Sequence, residues 1–255
     1  MGEEPRGLSR PERELRILPD AGAACRDAAE LFASSCEERT RAGKPFRVAL
    51  SGGSTPREFY SLLADPAEPF RARVDWGGTH AFWGDERMVP PNDPRSNFCM
   101  AEESLLSKVP IPRVNVHRIR GEIADADEAA AEYGESLRSV FGLAGGEAPR
   151  FDLMLLGLGA DGHTASLFPS AFARDDGRLA AATPEYDGVR RVTLTLRVLN
   201  ASARAAFLVV GAEKAAMLHT VLDGPLRPDL IPAQAVRPTE GKTFWLVDSA
   251  ASSSL

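Results

Sequence analysis

One histidine and one aspartate lie among small residues in segment 157–166, which reads GLGADGHTAS. An imidazole titrates near neutral pH, so His163 is suited to take a proton from a water molecule. Asp161, two residues before it, can orient the imidazole ring and stabilise its charged form. Because this segment directly follows the most apolar run of the chain, we interpret His163 as a catalytic base rather than as a capping or core residue.

A short run of glycine and hydroxyl residues, SGGST, joins another apolar run to a predicted helix. Gly52 and Gly53 let the backbone approach an anion, and the helix start supplies free N–H groups and the positive end of the helix dipole. The hydroxyl groups of Ser51, Ser54 and Thr55 can add donors. The run lacks the lysine and the glycine spacing of nucleotide-binding loops. It predicts a phosphate site, with a tight turn and helix cap as the alternative.

Charged residues follow further apolar runs. Arg87 could clamp a phosphate or a carboxylate, or stabilise an oxyanion. Asp85 or Glu86 could hold that arginine in place or contact sugar hydroxyl groups. Lys214 and Arg191 could meet a phosphate. Each of these residues alone is more typical of a solvated surface, so this hypothesis depends on where the fold places them.

The bulk composition limits the classes of partner. The chain has 255 residues, 44% of them apolar, and a formal net charge of −6, which argues against nucleic acid because phosphate backbones bind basic surfaces. We find no run of about twenty apolar residues and no apolar leader, and therefore expect a cytoplasmic protein that does not bind membranes. The odd count of three cysteines favours free thiols. The other three histidines show no ligand spacing with His163, so we expect no metal site.

Apolar periodicity places these residues on alternating strands and helices. Helical spacing predicts helices at 21–41, 55–63, 97–107, 126–141 and 215–222. Apolar runs predict strands at 46–50, 79–83, 114–119, 151–156, 189–196, 205–210 and 244–247. The run at 189–196 alternates with polar residues, so we expect that strand to be half-exposed.

Strands that alternate with helices indicate an α/β fold with a doubly wound, mostly parallel sheet and helices on both faces. Ligands of such sheets bind at the carboxyl ends of the strands. The segments that begin at residues 51, 85, 157 and 211 all follow predicted strands directly, and this coincidence is the main physical argument for one shared site. Charges and prolines predict a flexible tail at 1–12, and we expect 13–255 to form a single α/β domain.

Taken together, these segments resemble the 6-phosphogluconolactonase family. The matching stretches are SGGSTP (51–56), GDERMVP (84–90), SN (96–97), FDLMLLGLGADGHTASLFP (151–169), RVTLTLRVLN (191–200), GAEKAAML (211–218), IPAQAV (231–236) and GKTFWLVD (241–248). They extend from about residue 46 to the C-terminus, and the long central stretch is highly specific. The family is similar in fold to glucosamine-6-phosphate deaminases and ribose-5-phosphate isomerases, so the resemblance implies the same Rossmann-like fold.

The resemblance implies hydrolysis of 6-phospho-D-glucono-1,5-lactone to 6-phosphogluconate in the oxidative pentose phosphate pathway. His163 would activate water and Asp161 would orient His163. Arg87 would stabilise the negative charge that develops on the lactone or hold the substrate.

The phosphate of the substrate would bind to the turn at 51–55, to Lys214 and to Arg191. No metal or organic cofactor is implied, and the sugar phosphate is the expected partner. The protein would be a monomer or a small homo-oligomer. Family members usually carry a proline where this chain has Arg197, and we expect this difference to change a local bend but not the site.

Two alternative functions stay open. Glucosamine-6-phosphate deaminases also resemble the chain in SGGSTP and in the DGH triplet, but they carry a glutamate shortly after the histidine and an aromatic residue after the DE pair. This chain has Phe168 and Arg87 at those positions, which favours the lactonase. A sugar-phosphate sensor without catalysis is the second alternative. Such sensors usually carry a DNA-binding helix pair and would tend to lose the base, whereas His163 is present.

Overall fold

The computed structural model describes residues 13–169 and 176–255, and the predicted tail at 1–12 lies outside them. The strands are β1 (Arg13–Leu18), β2 (Phe46–Leu50), β3 (Thr79–Trp83), β4 (Asp85–Arg87), β5 (Leu153–Leu156), β6 (Ala180–Ala182), β7 (Arg191–Leu194), β8 (Arg204–Val209) and β9 (Lys242–Asp248). The α-helices are α1 (Ala21–Arg41), α2 (Ser54–Ala64), α3 (Phe70–Arg73), α4 (Asn97–Ala101), α5 (Ala126–Phe141), α6 (Leu196–Asn200) and α7 (Ala215–Asp223). Within the described ranges, no helix combines the length and apolar character needed to cross a membrane.

Six parallel strands form the main sheet in the order β1-β9-β8-β5-β2-β3. From β2 the chain moves outward to β3, returns past β2 to β5, and then continues outward to β8 and β9. This reversal places a topological switch point between β2 and β5, where doubly wound sheets bind their ligands. The predicted α/β class with a doubly wound, mostly parallel sheet is confirmed.

The two long helices begin at side chains that cap them. Asp20 accepts the N–H of Ala23 at 2.8 Å before α1, and Asp125 accepts the N–H of Asp127 at 2.7 Å before α5. Gly142 ends α5 in the left-handed conformation with φ 64°. Buried residues on α1 recur at helical spacing, so one face of this helix packs against β2, β8 and β9.

A second, antiparallel sheet of order β4-β7-β6 was not predicted from the sequence. The segment after Gly84, for which no strand was predicted, forms β4 and pairs with β7. The expectation that the strand near 189–196 is half-exposed was wrong, because all four residues of β7 are buried in the centre of this small sheet with α5 packed against it. In this pairing Arg87 lies directly opposite Arg191.

The predicted strand at 114–119 was also wrong. Residues Arg113–Asn115 form a short 3-10 helix, and only Val116 makes a bridge, to Ala81. The N–H of Val116 donates to the carbonyl of Arg113 at 3.1 Å, so it is not available to extend a ladder with β3. The predicted helix at 97–107 divides into α4 and a π-helical turn at Glu102–Leu106.

Two buried tyrosines hold the ends of neighbouring strands. The hydroxyl group of Tyr60 accepts the N–H of Ser51 and donates to its carbonyl, both at 2.9 Å. The hydroxyl group of Tyr133 does the same for Trp83, at 3.0 and 2.9 Å. Buried peptide groups need partners, so these contacts fix the chain where it leaves β2 and β3.

Candidate active site

A cavity of about 330 Å³ opens at the carboxyl ends of β2, β3 and β5, at the switch point of the main sheet. Residues from both sheets reach it, because β4 continues directly from β3 through Gly84. The predicted site residues that line it are Ser51, Gly52, Gly53, Asp85, Arg87, His163, Arg191 and Lys214.

The turn between β2 and α2 forms one wall of the cavity. Gly53 precedes α2 with φ 113°, a conformation that favours glycine. A Cβ atom on Gly52 would collide with the side chain of Asn97, so only glycine lets these two segments meet. Ser54 and Thr55 lie in the first turn of α2, outside this lining, and Ser54 faces an adjoining cavity of about 370 Å³.

His163 lies against a carboxylate that determines which ring nitrogen carries the hydrogen. Its Nδ1 lies 2.5 Å from Oδ1 of Asp161, and the same oxygen accepts the backbone N–H of His163 at 3.1 Å. Burial alone would raise the pKa of Asp161, but these hydrogen bonds outweigh it and hold that pKa below its ordinary value. An ionised Asp161 accepts a hydrogen from Nδ1, which leaves Nε2 as the proton acceptor.

Asp161 itself does not line the cavity, since it lies behind the imidazole ring. A Cβ atom on Gly159 would collide with that ring, and the N–H of Gly159 donates to the carbonyl of His163 at 2.8 Å. Gly159 therefore makes room for the histidine and closes its loop.

Arg87 and Arg191 bring two positive charges to the cavity as a cross-strand pair of β4 and β7. Only 8% of Arg191 is exposed, and its Nε has no hydrogen-bond partner among the described residues. Burial, and then the charge of Arg87, lowers the pKa of Arg191. Its guanidinium carbon lies 5.1 Å from the ring centre of Phe168 and 5.2 Å from that of Tyr186. Arg87 donates to the side-chain oxygen of Asn97.

The two acidic residues of β4 have different surroundings. Asp85 lines the cavity and accepts from Ser166 Oγ at 2.5 Å and from Asn97 Nδ2 at 3.3 Å. Its carboxylate therefore lies within reach of a polar ligand.

Glu86 is turned toward the start of α4. Its carboxylate accepts the hydroxyl of Ser96 and the backbone N–H groups of Arg87, Asn97 and Phe98, at 2.7–2.9 Å. Burial raises the pKa of Glu86, while these hydrogen bonds act in the opposite direction. Glu86 therefore does not line the cavity. It holds the backbone of Arg87 and the segment that presents Asn97 to the cavity.

Lys214 reaches the cavity from the short 3-10 helix Ala212–Lys214 that follows β8. The buried carboxylate of Asp248 accepts the N–H of Gly211 at 3.1 Å, and the N–H of Lys214 donates to the carbonyl of Gly211 at 3.0 Å. Arg197 lies elsewhere, in the first turn of α6, where a proline is also tolerated. Its side chain binds the carbonyl groups of Gly177 and Gly146 and does not line the cavity.

Sequence reasoning gave no role to several residues that the fold brings to the site. Asn97 and Tyr186 line the cavity, and Phe168 packs against the ring of His163 with centroids 5.0 Å apart. Asn97 had a local signal, since Ser96 before it caps α4. Tyr186 had one too, because an Asp-Gly pair follows it and favours a two-residue hairpin turn.

Known proteins resemble this chain over nearly its whole length. The family model described as glucosamine-6-phosphate isomerases/6-phosphogluconolactonase matches residues 19–245. A 6-phosphogluconolactonase from a Nostoc species is 36% identical over 245 residues, which cover 96% of this chain and 99% of that protein. One from a Synechocystis species is 39% identical over 208 residues, covering 82% and 84%.

A solved structure adds the same relationship in three dimensions. The 6-phosphogluconolactonase of Trypanosoma brucei superposes with a TM-score of 0.82 at 29% identity, over 96% of this chain and 99% of that one. The chain belongs to the family of glucosamine-6-phosphate isomerases and 6-phosphogluconolactonases.

Proposed function

We propose that the chain is a 6-phosphogluconolactonase, which hydrolyses 6-phospho-D-glucono-1,5-lactone to 6-phosphogluconate in the oxidative pentose phosphate pathway. Curated relatives of that name are 36% and 39% identical to it. The observation that carries the proposal is a His163–Asp161 pair beside a cavity with three cationic side chains. Hydrolysis of a phosphorylated lactone needs both a base for water and a binding site for an anion.

In the proposed mechanism, His163 Nε2 takes a proton from water while the water oxygen attacks the carbonyl carbon of the lactone. Asp161 accepts the Nδ1 hydrogen and stabilises the imidazolium. The bond from that carbon to the ring oxygen then breaks, and His163 returns the proton to the departing oxygen. The product carries a carboxyl group at C1 and a hydroxyl group at C5.

The cations of the cavity are proposed to bind the phosphate. Like charges directly opposite each other on two strands repel, so the facing pair of Arg87 and Arg191 favours an anion between them. Lys214 and the glycine turn at 51–53 add further donors from other walls of the cavity. Asp85 and Asn97 are suited to the sugar hydroxyl groups, because they offer oxygen acceptors and an amide donor.

The deaminase alternative requires a glutamate near the histidine. At that position Phe168 packs against His163, and an apolar ring cannot exchange protons with it. This contact supports the lactonase over the deaminase.

The test is hydrolysis of the lactone by the purified protein, measured against the spontaneous rate at mildly acidic pH. We expect a clear acceleration. No acceleration together with release of ammonia from glucosamine 6-phosphate would establish the deaminase, and binding of 6-phosphogluconate without turnover would establish the sensor.

Four further properties are proposed with the activity. Site residues drawn from positions 51 to 214 support one lactonase domain over 13–255. We further propose a cytoplasmic enzyme whose partner is its sugar-phosphate substrate. We propose that it is a monomer or a small homo-oligomer, which sedimentation would measure.

A further inference from the structure

A hairpin tip between β6 and β7 brings an aromatic residue to the mouth of the cavity. Tyr186 and Val189 form a bridge around Asp187 and Gly188, which have φ angles of 53° and 71°. Two successive residues with positive φ match the tight hairpin turn that Asp-Gly pairs favour. The turn therefore sets the position of Tyr186, and the buried strand β7 anchors it.

Four residues of the proposed active site contact this tyrosine. Its hydroxyl group donates to Oδ2 of Asp161 at 3.2 Å, while Oδ1 of the same carboxylate faces His163. Its ring stacks on Phe168 with centroids 4.0 Å apart and planes 13° apart, and it meets His163 edge-on at 5.9 Å. The guanidinium of Arg191 also lies 5.2 Å from its ring centre.

We propose that Tyr186 is a positioning residue for the Asp161–His163 pair, an inference that rests on the proposed function. A carboxylate with one bound oxygen can rotate, whereas donors on both oxygens fix its plane. Tyr186 thereby keeps Oδ1 directed at Nδ1 and leaves Nε2 facing the substrate. The stacked Phe168 holds the phenol ring at the angle that this hydrogen bond needs.

A contribution to the core alone would not explain this arrangement. Tyr186 is 39% exposed, so its ring adds little buried apolar area. Its hydroxyl group binds an ionised side chain rather than a peptide group, unlike the hydroxyl groups of Tyr60 and Tyr133.

The variant Tyr186→Phe keeps the ring and removes the hydrogen bond. We expect kcat to fall about 3- to 10-fold, as for loss of one hydrogen bond that acts in the transition state, with KM nearly unchanged. Without the phenol, more negative charge stays on Asp161, and the protonated base holds its proton more firmly. The acidic limb of the kcat/KM profile should therefore move to higher pH. The other charged groups around the site are the same in both proteins: Asp85, Arg87, Asp187, Arg191 and Lys214.

Glu185→Gln is the matched control, because Glu185 is an exposed neighbour on the same hairpin. It should leave kcat and the acidic limb in place. In an Asp161→Ala background, Tyr186→Phe should lose its effect on kcat, since the two changes remove one shared contact.

An unchanged kcat and an unmoved acidic limb in Tyr186→Phe would overturn the positioning role. A Tyr186→Phe effect on kcat that is the same in the wild-type and the Asp161-substituted protein would also overturn it. The wild-type protein is assayed first. If it lacks lactonase activity, the proposed function fails independently of Tyr186.

Discussion

The arginines on the surface of this protein differ from those in its cavity. Arg73 donates to Glu30 at 2.6 Å and to Glu37 at 2.8 Å, so its charge is matched within the chain. Within residues 13–169 and 176–255, Arg87 and Arg191 form no ion pair with a carboxylate, although Arg191 is far more buried than Arg73. Burial of an unpaired charge is unfavourable.

This difference indicates what the surface arginines and the cavity arginines each contribute to stability and to binding. Surface ion pairs add little to stability because water already solvates both partners. We expect the cavity pair to lower the stability of the unliganded protein and to bind an anion supplied from outside. Changes in the cavity should therefore alter turnover and affinity, whereas changes on the surface should alter stability alone.

The largest expected effect is that of His163→Ala on the cavity side. Loss of the base should lower kcat by at least ~10²-fold, with a modest change in KM, because proton transfer acts in the chemical step. Steady-state kinetics, corrected for spontaneous hydrolysis, measures this. His219→Ala is the matched control, since His219 is an exposed histidine on α7 outside the cavity, and it should keep the wild-type kcat. An active His163→Ala enzyme would remove this residue as the base.

Arg191→Ala tests the buried charge directly. We expect KM to rise about 10- to 100-fold, the range for losing a hydrogen bond to a charged group. Arg190→Ala is its control, because the neighbouring Arg190 pairs with Asp127 on the surface at 3.3 Å and should leave KM as it is. If both variants raise KM equally, the distinction between the two sets of arginines is wrong.

Lys214→Ala should raise KM by a smaller factor, about 3- to 10-fold, because a flexible lysine holds phosphate as a single point charge. kcat should change little. The kinetic measurement is the same. A KM equal to that of the wild type would show that Lys214 is a surface lysine that does not bind the phosphate.

The smallest effect is expected on the surface side. Arg73→Ala should destabilise the fold by at most about 1 kcal/mol, or about 2–4 °C in Tm, and leave kcat/KM unchanged. Thermal unfolding and the lactonase assay on the same sample measure both quantities. A loss of activity without a loss of Tm would contradict the separation of roles.

Much of the fold could be predicted because its signals are local. The bounds of α1, β2, β3 and α5 agree with the sequence patterns, since apolar runs or caps mark their ends. β1 was missed because half of its six residues are charged, and β6 because it is three alanines. In the small antiparallel sheet, β4 pairs with β7 between residues about a hundred positions apart, and periodicity does not encode such a pairing.

In the candidate site, too, some residues could be predicted from local signals and others could not. The cavity-lining residues that follow strands, such as Ser51 and His163, could be predicted because parallel strands end at one edge. The side chain of Asp85 faces the cavity and that of Glu86 faces away from it. Both orientations depend on where α4 packs. The place of Tyr186 depends on a hairpin that crosses from the second sheet to Asp161.

We expect the facing arginines of β4 and β7 also to connect metabolic flux to the lifetime of the protein, through the phosphate that we propose they bind. A ligand that binds only the folded chain stabilises it by RT ln(1 + [L]/Kd), about 2.7 kcal/mol at a hundredfold excess over Kd. We expect a measurable increase in the free energy of unfolding, because a bound phosphate would relieve the repulsion between Arg87 and Arg191. A cell with abundant sugar phosphate would then keep more of this enzyme folded and out of reach of proteases than a starved cell.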